Sequence, residues 1–166
     1  MTETATRLTA RLLDESERTV QFFSKLTLEQ QSSQVYIEGN CWTVRDILAH
    51  LLATEISIYR LVVHILEGGP GTPEDFDINA YNERKVRELR EADTPKLLER
   101  FRQEREATVQ LVSGLSLDDL EKQGRHPFLG TAPLSDIIKL MYRHQQIHIR
   151  DIRRILASGD GKFAER

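Results

Sequence analysis

The sequence predicts an all-α chain folded as a four-helix bundle. Apolar residues recur at helical spacing over four long stretches, no stretch sustains the alternation of a strand, and the glycines and prolines cluster in two places between helical stretches. The chain has 166 residues, which points to one domain over 1–166, because domains of ~100–200 residues are the norm. A chain of this size buries roughly 68–70% of the surface it exposes when unfolded, enough for its own core.

The first helix is expected from Thr4 to about Leu26, with Ala5, Leu8, Leu12, Phe22, Phe23 and Leu26 near one face. A polar connector, Thr27 to Asn40, follows, and Val35, Tyr36 and Ile37 are its only apolar run. Its length permits a topology other than simple up-and-down. Trp42-Thr43-Val44-Arg45-Asp46 reads as a helix start, Thr43 capping and Asp46 answering it three residues on. That second helix should run to about Glu67 on a stripe of Ile47, Leu51, Ile58, Val62 and Ile65, and its small row Ala49, Ala53 and Ser57 favours close helix contact.

Gly68-Gly69-Pro70-Gly71-Thr72-Pro73 stops the helix and reads as a turn. It lacks the Lys-Ser/Thr ending of a phosphate loop and follows a helix, not a strand. The third helical region, Asn79 to Gly114, should break or kink at Thr94-Pro95, a cap followed by a first-turn proline. Leu97, Leu98, Phe101, Val112 and Leu115 form its apolar side, and the Arg/Glu mixture around them reads as a solvated face with pairs one turn apart, such as Glu99–Gln103 and Arg102–Glu106. Ser116 to Asp119 opens a short helix, His126 to Pro133 reads as a loop, and the last helix runs from Leu134 to about Ala157. Ser158 to Arg166 reads as frayed.

Composition narrows the function. The 23 Lys+Arg against 26 Asp+Glu leave a net charge of −3, so no strongly basic surface argues for nucleic acid. No apolar run approaches the ~20 residues that span a bilayer, the first residues lack a signal peptide's apolar core, and no membrane partner is expected. A lone cysteine, Cys41, fits a reducing cytoplasm. Beside Trp42 it reads as a half-buried small residue and not as a nucleophile; Trp42 reads as packing at the helix entry.

The histidines carry the chemistry. On the last helix His144 and His148 fall within the stripe of Ile137, Met141, Ile152 and Ile155 at ~100° per residue. An unpartnered buried polar group costs roughly 1–3 kcal/mol, so two imidazoles there need a reason. Metal ligation is one, because this spacing sets two ring nitrogens on one face; a hydrogen-bonded or interface pair is the other. His50, at the edge of the second helix's stripe, is placed to reach inward as a third ligand. Three imidazoles would suit zinc, nickel, iron or manganese. Glu55 and Asp151 lie on or near the inward faces, each a candidate ligand, a candidate acceptor that fixes a ring's tautomer, or a candidate catalytic group. His64, fourteen residues from His50 and roughly 21 Å along the helix, reads as surface or interface, and His126 as an exposed loop residue.

Trp42-Thr43-Val44-Arg45-Asp46-Ile47-Leu48-Ala49-His50-Leu51, with Gly130-Thr131-Ala132-Pro133-Leu134-Ser135-Asp136-Ile137 and His144-Gln145-Gln146-Ile147-His148, resembles the second- and last-helix motifs of the DinB-like superfamily. The resemblance implies a four-helix bundle of DinB/YfiT-like type whose histidine triad, here His50, His144 and His148, binds a divalent metal beside a cleft. It also implies a homodimer. Some branches are metal-dependent thiol transferases joining a low-molecular-weight thiol to an electrophilic small molecule, or mycothiol-using isomerases. The family often reads His-x-x-Gln after the last ligand, and this chain has His148-Ile149-Arg150-Asp151, which alters the charge of the cleft.

The expected function is therefore a metal-dependent enzyme in which a bound thiol or water becomes the nucleophile. A thiol would make it an S-transferase and water a hydrolase, the former ranked first through the family likeness alone. The alternative is a non-catalytic, metal-binding or dimerising bundle module with a stress-related role.

Overall fold

Among the described residues, seven helices and a hairpin follow in the order α1 (Ala5–Ser24), α2 (Leu28–Gln31), α3 (Val44–Leu66), α4 (Ile78–Glu88), α5 (Thr94–Ser113), α6 (Leu117–Glu121), β1 (Gln123–His126), β2 (Gly130–Pro133) and α7 (Leu134–Ser158). The structure, a computed structural model, describes residues 3–159, so most of the tail expected to fray lies outside the described residues.

Local chemistry sets the helix boundaries. The Thr4 hydroxyl caps α1 by accepting from the Arg7 amide at 3.3 Å. At α3 the Asp46 amide donates to the Thr43 hydroxyl at 3.2 Å, and the Asp46 carboxylate accepts from the Thr43 amide at 3.0 Å. The expected break before α5 is complete, although its cap is Asp93, which accepts from the Lys96 amide at 2.9 Å, and not Thr94, whose hydroxyl donates to Gln31 instead.

The long helices α1, α3, α5 and α7 form the bundle. Helix α1 packs on α5 and α7, and so does α3, which sets α1 and α3 on one diagonal. Two apolar clusters fill the interior. One gathers Val20 and Phe23 with Leu48, Leu52, Leu98, Phe101 and Ile152; the other gathers Leu8 and Leu12 with Ile58, Val62, Val112, Ile137 and Met141. Helices α1 and α7 therefore run one way, α3 and α5 the other. Because α3 and α5 are parallel, the chain must return along the bundle between them, and α4 lies on that path. The small row of α3 accommodates it: the Ser57 and Tyr81 hydroxyls meet at 2.7 Å.

Helix α3 has the length and composition of a membrane-crossing helix, which corrects the expectation that no apolar run comes close. Its apolarity is explained by position, since two neighbouring helices and α4 cover it.

Two further expectations need correction. The stretch read as a loop, His126 to Pro133, forms the turn and second strand of an antiparallel hairpin with Gln123 opposite Pro133 and His126 opposite Gly130. Strands of four residues are too short to show alternation. Packing holds the hairpin down: a Cβ at Gly124 would come within 2.2 Å of the Ile65 side chain, and the Arg125 backbone bonds to Pro70 and Thr72 at 2.9 and 2.8 Å. The charged side of α5 is not wholly solvated either. Arg105 is 1% exposed and makes two 2.8 Å bonds to Glu55 and one of 2.7 Å to the Leu12 carbonyl.

Candidate metal centre

His50 stands two turns into α3, and His144 and His148 stand one turn apart on the flank of α7 that faces it. The structure brings the three together. His144 Nε2 lies 3.0 Å from His50 Nε2 and 2.8 Å from His148 Nε2, and one ring nitrogen from each of the three falls within 4.8 Å of the others. His50 and His148 are buried, whereas His144 is half-buried and marks the side open to solvent.

The connector between α1 and α3 completes the site. A bridge between Gln34 and Thr43 folds it back on itself, and this brings Tyr36 and Trp42 inward, 1% and 2% exposed. The Tyr36 hydroxyl lies 2.8 Å from His148 Nδ1 and donates to Asp151 Oδ2 at 2.7 Å. Arg150 contacts the other Asp151 oxygen at 3.1 Å. The Trp42 ring lies over His50 with centroids 4.5 Å apart, so its placement goes beyond packing at the helix entry. The only sign of Tyr36 in the sequence is that it sits in the single apolar run of a polar connector.

These residues fit a divalent transition metal. One nitrogen, His144 Nε2, faces two other ring nitrogens at hydrogen-bond distance, and its one in-plane position, whether it holds a hydrogen or a lone pair, can align with only one of them at a time. Converging lone pairs directed at a shared cation satisfy all three. Neutral imidazoles are ligands for zinc, nickel, iron and manganese alike.

The other candidates separate. Asp151 is linked to the triad through the Tyr36 hydroxyl. Glu55 turns away to α5, where Arg105 takes both its oxygens and the Thr108 hydroxyl donates to one at 2.7 Å; it is bound into the core and not free to orient an imidazole. His64 is exposed, as expected. Cys41 is exposed, not half-buried. His126 is not an exposed loop residue: it is 6% exposed, its Nδ1 accepts from the Phe128 and Leu129 amides at 3.1 and 3.4 Å, and burial lowers its pKa to about 4.

Known proteins resemble the chain in sequence or in fold to differing extents. A Bacillus cereus (strain AH820) protein named "Putative metal-dependent hydrolase BCAH820_2714" is 31% identical over 138 residues, covering 78% of this chain and 75% of its own. YfiT from Bacillus subtilis, described as a probable metal-dependent hydrolase with an unusual four-helix bundle topology, superposes with a TM-score of 0.74 at 21% identity over 93% of this chain and 87% of its own. The colibactin self-resistance protein ClbS, solved with double-stranded DNA, gives 0.74 at 12% identity over 93% and 96%. The mycothiol-dependent maleylpyruvate isomerase gives 0.71 at 14% identity over 90% and 61%. At these identities the solved structures speak for the fold. The sequence pattern of the DinB superfamily matches residues 11–152, a span that holds all three histidines and every bundle helix in whole or part, and the chain belongs to that superfamily.

Proposed function

We propose that the protein is a divalent-metal-dependent enzyme acting on a small molecule, with His50, His144 and His148 as the metal's protein ligands. The convergence of three ring nitrogens beside a solvent-open edge carries this reading. Three protein ligands leave coordination positions for a water or substrate, as in catalytic metal sites. A divalent metal bound there would lower the pKa of a coordinated water or thiol, giving a nucleophile at neutral pH.

The chain's own groups have distinct tasks in this reading. The imidazoles supply neutral donors. Trp42 and Tyr36 exclude water from the inner side of the site, and the half-buried edge at His144 admits the substrate. Hydrolysis is the first reading, supported by the names of the Bacillus relatives. Transfer of a low-molecular-weight thiol to an electrophile is the second, favoured by the likeness to a mycothiol-dependent enzyme. A non-catalytic metal-binding module is the reading to be excluded.

Metal analysis of protein purified without an affinity tag should find about one divalent ion per chain, and His144→Ala should lose most of it. Ester substrates and thiol–electrophile pairs, assayed with and without thiol, then separate hydrolase from transferase. Unchanged metal content and thermal stability in His144→Ala would remove every metal-based reading, and metal binding without turnover would favour the module.

A further inference from the structure

We infer that Tyr36 is a positioning residue that, with Asp151, fixes which nitrogen of His148 faces the metal position; this rests on the metal reading above. A count of protons leads there. The Tyr36 hydroxyl carries one hydrogen and meets two groups, the Asp151 carboxylate at 2.7 Å and His148 Nδ1 at 2.8 Å. An ionised carboxylate can only accept, so the hydroxyl hydrogen goes to Asp151 and the phenol oxygen accepts from His148. His148 therefore carries its hydrogen on Nδ1. Its lone pair sits on Nε2, the atom that stands 2.8 Å from His144 Nε2.

Without the phenol oxygen this bond no longer holds the hydrogen on Nδ1, and a hydrogen on Nε2 would block coordination there. Partners of this kind orient a ligating imidazole and raise its basicity. Here a hydroxyl links the carboxylate to the ring. Asp151 lies three residues beyond His148 on the same helix, and the gap to Nδ1 is bridged by a hydroxyl that the connector delivers. The Arg150 guanidinium, on the other carboxylate oxygen, gives Asp151 a charge partner. A Tyr36 that served only as a core aromatic would be replaceable by phenylalanine, which keeps the ring and loses only the oxygen.

Full-length wild type and Tyr36→Phe are titrated with Co2+ in competition with a chelator, and ring 15N NMR of the metal-free proteins reports the His148 tautomer. Wild type should show His148 with its hydrogen on Nδ1. Tyr36→Phe should shift it toward Nε2 and bind Co2+ roughly 10–100-fold more weakly. Equal affinity and an unchanged tautomer in Tyr36→Phe, in a background where wild type binds, overturn the role of Tyr36 and leave the metal reading standing. Wild type that binds no Co2+ overturns both. Should Tyr36→Phe fail to fold, Asp151→Ala tests the same chain of bonds: it frees the hydroxyl hydrogen to go to His148, and wild-type affinity in that variant overturns the inference.

Discussion

Glu55 and Arg105 show how a side chain's neighbours decide its role. Both are almost completely buried, and two 2.8 Å bonds join them in parallel, the bidentate geometry that suits a guanidinium and a carboxylate. Removing one partner strands the other's charge in the core, a loss of about 3–5 kcal/mol. Glu55→Ala should lower unfolding free energy in urea by that amount, and Glu55→Leu combined with Arg105→Met should recover most of it. Wild-type stability in Glu55→Ala would refute the structural role. Helical phase alone already places Glu55 inward. What it meets there depends on α5, where Arg105 is embedded in a run of Arg and Glu that is otherwise solvated, so a one-dimensional pattern cannot mark it as the buried one. Tyr36 was hidden for a related reason: its partners lie more than a hundred residues away on α7.

At the scale of elements, the four long helices are legible because each carries its own period; α1, α3 and α5 also carry side-chain caps, as Thr43 and Asp46 show for α3, whereas α7 starts after Pro133 without one. The hairpin is not legible, because its stability comes from contacts outside it, with Ile65 and with the Pro70–Thr72 backbone. Gly71 holds φ at +96° against the Arg125 backbone, so Gly71→Ala should cost about 1–3 kcal/mol, read as a lower melting temperature. The hairpin also carries a pH dependence through His126. Burial lowers its pKa from 6.5 to about 4, so the unfolded chain binds the proton more readily than the folded one. Stability is then full above pH ~6.5, falls as pH drops toward ~4, and levels off below, a change of up to about 3 kcal/mol at 1.36 kcal/mol per unit. His126→Asn, whose side-chain oxygen can accept from the same amides, should flatten that part of the stability–pH curve relative to wild type. An unchanged curve would contradict the assignment.

Across the whole molecule, every bundle helix passes from one apolar cluster to the other over a polar step. On α1 the step is Glu15 and Thr19, on α3 Glu55, on α5 Arg105 and Thr108, and on α7 Gln145 beside the histidines. Bonds cross between helices at that level, including Thr19 to Gln145 at 3.3 Å and Gln146 to Glu15 at 2.8 Å. Such a layer fixes the register of the four helices and so the approach of α3 to α7, on which the triad depends. The sequence showed three histidines on inward or near-inward faces. It could not show that the diagonal placement of α1 and α3 makes α3 and α7 neighbours, since that follows from the crossing path through α4. The most direct measurement is a crystal structure of the metal-loaded protein with anomalous scattering recorded at the metal's absorption edge. The account predicts one peak per chain with His50, His144 and His148 nitrogens at about 2.0–2.1 Å if the ion is zinc; a peak elsewhere, or one that His50 does not reach, would contradict it.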